Sequence, residues 1–154
     1  MGQQIIDNLN LPALSEVSSG GWMQRRKERR RARRLAQETR LRAAHLTQPV
    51  SDLSGGNQQK VLLGSRFTDD VKVLVLQEPS RGVDVNARPE IHRLLRSLAA
   101  RGVAQLVASS DLEELVVLCD RVLVFSAGQI VREVLEPSLS SQAEILHYAG
   151  GLQE

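Results

Sequence analysis

The amino-acid sequence predicts an α/β domain, a layered fold in which helices flank a mostly parallel sheet. Two short apolar runs, residues 71–76 (VKVLVL) and 103–108 (VAQLVA), have the length and branching of strands that are covered on both faces. Between them, residues 89–101 repeat Ile and Leu at helical spacing, and Gly102 follows as a common helix stop. The order of strand, helix and strand is typical of a parallel sheet.

The other elements follow from local patterns. Residues 1–21 have only a weak pattern, in which Ile5 and Ile6 are compatible with a helical turn and Ser18-Ser19-Gly20-Gly21 is a predicted loop. The remaining predicted elements are, in chain order, a helix within 22–44, a helix after Gly55-Gly56, a helix over 111–118 with an Asp-x-x-Glu cap, a hairpin of 122–125 and 130–134, and a helix over 140–148. We therefore expect a helical part over 1–66, an α/β part over 67–137 and a C-terminal helix and tail over 138–154.

Composition excludes several classes of protein. No apolar run approaches the length that is needed to span a bilayer. The single Cys119 excludes an internal disulfide and is expected to be a buried thiol in a reducing compartment. The three histidines are scattered and have no metal-ligand spacing.

Basic residues are concentrated in one segment. Ten of the 20 Lys and Arg residues lie within 25–42, where only Glu28 and Glu38 offset them, and eight lie within 25–34. This segment is either a solvated outer helix face or a surface for anionic lipid or nucleic acid. Nucleic acid is not expected, because Trp22 is the only aromatic residue nearby and no nucleic-acid module surrounds the segment.

A serine and two glycines open the predicted helix at residues 53–60 (LSGGNQQK). A helix start exposes unpaired N–H groups and a partial positive charge, and glycine lets the backbone approach an anion closely. The alternative is a plain N-cap serine before a tight turn. The chain contains no G-x-x-x-x-G-K-[ST] loop, and Lys60 does not stand where such a loop needs its lysine. The candidate phosphate ligands are Ser54, Gly55, Gly56 and Gln58.

A carboxylate follows the first apolar strand. Glu78 stands at the end of residues 73–79 (VLVLQEP), at the edge of the sheet where open α/β folds bind ligands. A glutamate there can orient or deprotonate a water that attacks a phosphoryl group. The alternative is a solvated glutamate at a strand end.

Four segments in this order resemble the ATP-binding-cassette (ABC) ATPases. They are residues 53–60 (LSGGNQQK), 73–80 (VLVLQEPS), 81–85 (RGVDV) and 108–114 (ASSDLEE). The sequence is most similar to the second cassette of the tandem ATPase subunits of ribose, xylose and galactose importers. This resemblance extends from about residue 8 to residue 135 and implies a partial P-loop NTPase-like fold, in which the Walker A strand and loop are absent.

The resemblance implies a role for each candidate residue. Ser54, Gly55, Gly56 and Gln58 match the signature motif, which closes over the γ-phosphate of ATP that is bound to a partner cassette. Glu78 matches the catalytic glutamate, Asp84 matches the D-loop residue that faces the partner cassette, and Ser110 stands at the switch-histidine position. Residues 22–66 resemble the helical subdomain that rests against membrane-spanning subunits.

Two departures from the family pattern bear on activity. Without a Walker A loop, ATP is expected to bind weakly to this chain alone. Gln77 stands where the family has an aspartate that holds Mg²⁺, and a neutral amide is expected to weaken metal binding. Ser110 is a milder departure, because second cassettes of this type often carry serine there.

The resemblance therefore implies a truncated ATPase domain of a bacterial sugar importer. Its expected partners are a second cassette and membrane-spanning permease subunits, at the cytoplasmic face of the inner membrane. ATP and Mg²⁺ are the expected cofactors of the intact relative, and the chain alone is expected to be inactive. The alternatives are a non-enzymatic interaction module and a fragment without function, whose open sheet edge favours self-association.

Overall fold

The structure is a computed structural model that describes residues 3–68 and 70–150. These residues form two compact units. Unit 1 holds the described residues up to Val73 together with Ser80–Leu94, and unit 2 holds Leu74–Pro79 and the described residues from Leu95 onward.

Unit 1 is built mainly from helices. Its elements are α1 (Ile5–Asn10), α2 (Leu14–Val17), a short hairpin of β1 (Ser18–Ser19) and β2 (Trp22–Met23), α3 (Arg25–Glu38), α4 (Gly55–Ser65) and the first turns of α5 (Arg88–Ala100). Short 3-10 helices cover Leu11–Ala13 and Val50–Asp52. The helical turn that the sequence allows at Ile5 and Ile6 is present and extends into α1, where the backbone N–H groups of Ile5 and Ile6 donate to the carbonyl oxygens of Gln48 and Leu46 at 3.0 and 2.9 Å.

The core of unit 1 lies where α1 packs against α3 and α4. Ile5, Leu9 and Leu35 are fully buried there. Gly64 allows the close approach of α4, since a Cβ at this position would lie 2.8 Å from the Thr39 Cγ2 atom. This helix packing fixes α4 against α1 and the end of α3.

Helix α3 is shorter than the predicted segment 22–44. It begins at Arg25 because the hairpin of β1 and β2 occupies the preceding residues, and the chain turns at Arg40, whose φ is 50°. Arg31 is buried on its inner face, where its guanidinium donates to the Leu9 carbonyl oxygen and to the Glu16 carboxylate.

Unit 2 contains two separate two-stranded sheets. Strand β3 (Val73–Gln77) neighbours β4 (Ala104–Ala108), and β5 (Arg121–Ser126) pairs antiparallel with β6 (Gln129–Leu135). The predicted hairpin is confirmed, with Ala127 and Gly128 at positive φ in its turn. Helices α6 (Leu112–Leu118) and α7 (Ser141–Ala149) complete the unit.

The apolar core of unit 2 lies between the hairpin and its helices. Val122, Val124 and Val134 of the hairpin pack with Leu115 of α6 and Ile145 of α7. Cys119 is half-buried against this cluster, and burial raises the pKa of its thiol.

The prediction that both apolar strands are covered on both faces was wrong for β3 and β4. Val75 is 74% exposed and Leu106 is 61% exposed, because no described layer covers this face of the sheet. An open cleft of about 1330 Å³ lies in unit 2, and residues of β4, β5, α6 and α7 line it. Within the described residues no helix is both long and apolar enough to cross a lipid bilayer.

Candidate functional site

The start of helix α4 presents free backbone donors. Ser54 stands at its N-cap, is exposed, and makes no side-chain hydrogen bond to the first turn. Its hydroxyl instead accepts from the Asn57 amide at 2.9 Å. The N–H groups at a helix start have no partner within the helix, so this uncapped turn suits an oxyanion.

The two glycines of the predicted phosphate site also serve packing within unit 1. A Cβ at Gly55 would lie 2.6 Å from the Gly82 carbonyl oxygen, and one at Gly56 would lie 2.9 Å from the Ala87 Cβ atom. Glycine is therefore required at 55 because loop 81–87 presses its backbone against the helix start. This contact places the Asp84 loop beside the uncapped turn.

The amide side chains of this motif bind their own chain. Gln58 donates to the Leu53 carbonyl oxygen at 2.9 Å, and Asn57 accepts from the Arg42 backbone N–H at 2.9 Å. Gln58 therefore holds the loop before α4. Among the predicted phosphate ligands, Ser54 and the backbone N–H groups of the first turn make no such contact with that loop, and the roles of all four residues stay predictions.

The sequence did not predict an ion pair beside this motif, in which a buried lysine meets a partly exposed glutamate. Lys60 is 3% exposed, and its ammonium donates to the Glu90 carboxylate at 2.5 Å and to the Arg40 carbonyl oxygen at 3.0 Å. The hydrogen bond and charge of Lys60, with the nearby charge of Arg42, hold the pKa of Glu90 below its usual value. Lys60 thus joins α4 to α5 and has a structural role.

Asp84 lies exposed in the loop before α5. Its carbonyl oxygen accepts from the backbone N–H groups of Ala87 and Arg88, at 2.8 and 3.1 Å, which starts the helix. Gly82, at φ 73°, makes the turn, and Val83 anchors the loop in the core. The loop thus holds Asp84 at the surface on a well-supported backbone.

Glu78 lies in unit 2, directly after β3, with a left-handed backbone at φ 49°. Its N–H donates to the Ala108 carbonyl oxygen at 2.8 Å. Its carboxylate accepts from the Ser110 N–H at 2.8 Å and from the Ser109 hydroxyl at 3.3 Å. The structure therefore brings together the catalytic and switch positions that the sequence predicted separately, and the contact at Ser110 is made by its backbone.

Ser109 and Glu114 form a second contact that the sequence reasoning missed. The Ser109 hydroxyl also lies 2.6 Å from the Glu114 carboxylate, and it accepts from the Asp111 N–H at 3.1 Å. The predicted cap of α6 is confirmed, because Asp111 accepts from the N–H groups of Glu113 and Glu114. Glu114 does not reach back to the cap, since its side chain is directed to Ser109.

The residues at the end of β3 do not fit a dedicated Mg²⁺ site. Gln77 is exposed and offers a neutral amide, while the Glu78 carboxylate is engaged by Ser109 and Ser110. Hard Mg²⁺ prefers carboxylate oxygens in octahedral geometry. Among residues 3–68 and 70–150, no group of three His, Cys, Asp or Glu side chains is placed to hold a metal ion.

Comparison with solved structures gives the class of fold. A dimeric ATP-binding cassette in a post-hydrolysis state, bound to ADP and phosphate, matches with a TM-score of 0.72 at 21% identity, over 89% of this chain and 58% of that one. The cassette cbiO1 from Clostridium perfringens, part of the ABC transporter complex cbiONQ, matches with a TM-score of 0.71 at 21% identity, over 99% and 59%. The chain has the fold of part of an ABC ATPase cassette.

Curated relatives give the family. The chain is 43% identical over 148 residues to the ribose import ATP-binding protein RbsA 2 of Rhizobium meliloti, and this covers 96% of the chain and 29% of the relative. It is 42% identical over 134 residues to the ribose import ATP-binding protein RbsA of Corynebacterium glutamicum, covering 87% and 26%. No protein-family model matches. The chain is a homologue of the ATP-binding proteins of sugar importers and spans less than a third of their length.

Proposed function

We propose that this chain supplies the signature motif of a sugar-importer cassette to ATP that is bound by a second cassette. The observation that carries the proposal is the uncapped start of α4, where Ser54 is exposed and the first N–H groups are directed out of the helix. These donors stabilise the negative charge of a γ-phosphate as a second cassette closes over it.

In this proposal the Asp84 loop contacts the same partner cassette. Support comes from its packing against Gly55, which makes the loop and the helix start one surface. Glu78 polarises an attacking water in a site whose phosphate-binding loop lies outside residues 1–154. The Ser110 N–H positions the Glu78 carboxylate for this task. Mg²⁺ comes with the ATP, because the described residues do not form a dedicated site for it.

The wider assembly is part of the same proposal. The names of the relatives refer to ribose import. For this chain we propose carbohydrate import, with membrane-spanning permease subunits as partners and a peripheral position at the cytoplasmic face of the membrane. Residues 1–66 serve as the signature subdomain, 67–137 as the catalytic part and 138–154 as a C-terminal helix and tail.

Complementation tests this function. A relative's full-length subunit, inactivated at its own signature serine, is mixed with this chain, and ATP turnover is measured. We expect turnover to rise with the wild-type chain and not with Ser54→Arg. Ser51→Arg is the matched control, because Ser51 is equally exposed in the preceding turn. Equal stimulation by both variants would refute the proposed role of the motif.

The chain by itself is expected not to hydrolyse ATP. Without a phosphate-binding loop, neither the nucleotide nor its metal is held beside Glu78. Turnover by the purified chain is measured beside its Glu78→Gln variant. Robust turnover that this substitution abolishes would show that the chain is a complete enzyme.

A second candidate function is that of a strand-binding module, and the cleft in unit 2 favours it. The Ala108 carbonyl oxygen accepts from the Glu78 N–H, so Ala108 directs its backbone groups toward β3. The backbone groups of successive residues in a strand point to opposite edges of that strand. The N–H and C=O groups of Gln105 and Val107 therefore point away from β3, toward the cleft. In the described residues β3 is the one strand neighbour of β4. The cleft suits an extended apolar strand from a fuller cassette.

Amide hydrogen exchange distinguishes this candidate. On mixing with a full-length relative, the N–H groups of Gln105 and Val107 should become protected, whereas those of Leu106 and Ala108 should change little because they already face β3. Uniform protection along β4, or none, would contradict strand addition. The result is independent of the signature motif, which lies in unit 1.

A further inference from the structure

Helix α3 presents an exposed basic surface for which the proposed function has no use. We name it the basic face, and its members are Arg26, Lys27, Arg29, Arg30 and Arg33. All five side chains are exposed, and none has an ion pair or hydrogen bond with residues 3–68 or 70–150. The opposite side of the helix is buried in unit 1 through Ala32 and Leu35. The basic face is therefore directed away from the core.

No acidic side chain of the described residues compensates the charges of this face. Arg26 and Arg30, like Arg29 and Arg33, stand four residues apart on one side of the helix, where like charges repel. The neighbouring acids are engaged elsewhere: Glu28 is buried against Arg25 at 3.0 Å, and Glu38 is bound to Arg34 at 3.8 Å. Arg26 and Lys27 also stand in the first turn of α3, at the positive end of the helix dipole. Each of these effects is relieved by an anionic partner.

A large aromatic side chain lies beside this face. Trp22 is 82% exposed in β2, three residues before α3 begins, and the adjoining Met23 is 36% exposed. An indole ring joins an apolar body to a polar N–H group, which suits the boundary between lipid headgroups and acyl chains. An exposed tryptophan next to a row of arginines is the combination by which peripheral proteins adhere to anionic bilayers.

We propose that the basic face and Trp22 together bind the headgroups of anionic phospholipids at a membrane surface. Trp22 enters the interfacial layer while the arginines remain among the phosphates. Lipid fits the observations better than nucleic acid does, because a single exposed aromatic ring does not provide the successive stacking platforms that bind single strands, and an indole beside the arginines meets an apolar layer on a bilayer but not on a duplex backbone. This surface is separate from the signature motif, so the proposal does not depend on the proposed function.

Vesicle binding tests the proposal on the full chain. Trp22 is the only tryptophan, so its fluorescence reports this site alone. Vesicles of phosphatidylcholine with phosphatidylglycerol should bind the protein and shift the emission to the blue, and pure phosphatidylcholine vesicles should do neither. Binding should weaken as salt is raised, because screening shortens the range of the attraction. Equal binding to neutral and anionic vesicles would overturn the proposal.

Charge variants locate the interaction. The triple variant Arg26→Gln, Arg30→Gln, Arg33→Gln keeps good helix formers and should weaken vesicle binding about 100-fold, from about fivefold for each lost charge. The matched control is Arg66→Gln, Lys72→Gln, Arg93→Gln, which removes three exposed charges elsewhere in unit 1 and should bind like the wild type. Equal loss in both triples would mean that net charge alone is responsible, and would refute the assignment to α3.

Two further measurements complete the test. Trp22→Ser, followed by co-sedimentation, should weaken binding while it keeps the preference for anionic vesicles. Duplex DNA is offered in parallel. Tighter binding to DNA than to the anionic vesicles, without a blue shift of Trp22, would assign the basic face to nucleic acid and overturn the lipid proposal.

Discussion

Unit 1 and unit 2 differ in how completely they bury their apolar residues. In unit 1, three helices enclose Ile5, Leu9 and Leu35, and these side chains are fully buried. In unit 2, the hairpin and its helices form a small core, while Val75 and Leu106 of the other sheet lie more than half exposed. The start of α4, for which we propose the role of signature motif, therefore lies in a unit with a closed core, whereas Glu78 follows a strand that is open on one face.

The largest effect is expected in the closed core. Leu35→Ala should lower the free energy of unfolding by about 3 kcal/mol, because it leaves a cavity between packed helices. Leu106→Ala in unit 2 is the control and should change it by no more than about 0.5 kcal/mol, since this side chain is 61% exposed. Chemical denaturation followed by circular dichroism measures both. If Leu106→Ala lowered the free energy of unfolding as much as Leu35→Ala, the exposed face of β3 and β4 would have to be covered in solution.

A second expectation concerns the support of the signature motif. Gly55→Ala should destabilise the protein by about 2 kcal/mol, because its Cβ would lie 2.6 Å from the Gly82 carbonyl oxygen, and backbone must shift to admit it. Ser54→Ala should be nearly neutral, since Ser54 makes no capping hydrogen bond. Thermal unfolding of the two variants measures the difference. If the two variants had similar unfolding midpoints, loop 81–87 would not pack tightly against the start of α4.

A third expectation concerns pH. Glu90→Gln should cost about 1 to 2 kcal/mol at neutral pH, because the buried Lys60 loses its carboxylate partner. Folding lowers the pKa of Glu90, so the ion pair stabilises the protein above the usual glutamate pKa of about 4.3, and this contribution is lost as pH falls through the lower folded-state pKa. The difference between wild type and variant should therefore disappear in acid. A difference that persists there would contradict the ion pair.

The smallest effect should be a gain in unit 2. Ala127 has φ 49° in the hairpin turn, a backbone conformation that costs a non-glycine residue about 1 kcal/mol. Ala127→Gly should raise the free energy of unfolding by about 1 kcal/mol, as measured from the unfolding midpoint. Gly128→Ala, at φ 79°, should do the opposite.

Local patterns predicted much of this fold. The hairpin of β5 and β6, the Asp111 cap and helix α5 were all found from short segments, because turns, caps and amphipathic spacing are encoded by neighbouring residues. Glu78 and Ser110 were singled out by a strand end and by the family resemblance, and their roles stay predictions. Their hydrogen bond was not, because it joins residues 32 apart in the chain.

The contacts that were not predicted join residues that are far apart in the chain. The extent of α1 beyond a single turn depends on backbone contacts from residues 46–48, and the ion pair of Lys60 with Glu90 joins residues 30 apart in the chain. The exposure of β3 and β4 was missed for a different reason. An apolar run shows what a strand prefers to contact, but it does not show whether a layer is present to contact it.

The cleft of unit 2 has a consequence for the fate of the protein in a cell. Apolar surface and open strand edges are what chaperones and proteases recognise in proteins that have not completed folding. We expect the chain to turn over quickly when nothing fills the cleft between β4 and β5, and to persist when a strand does. Its abundance should then follow the supply of its partner rather than the rate of its own synthesis.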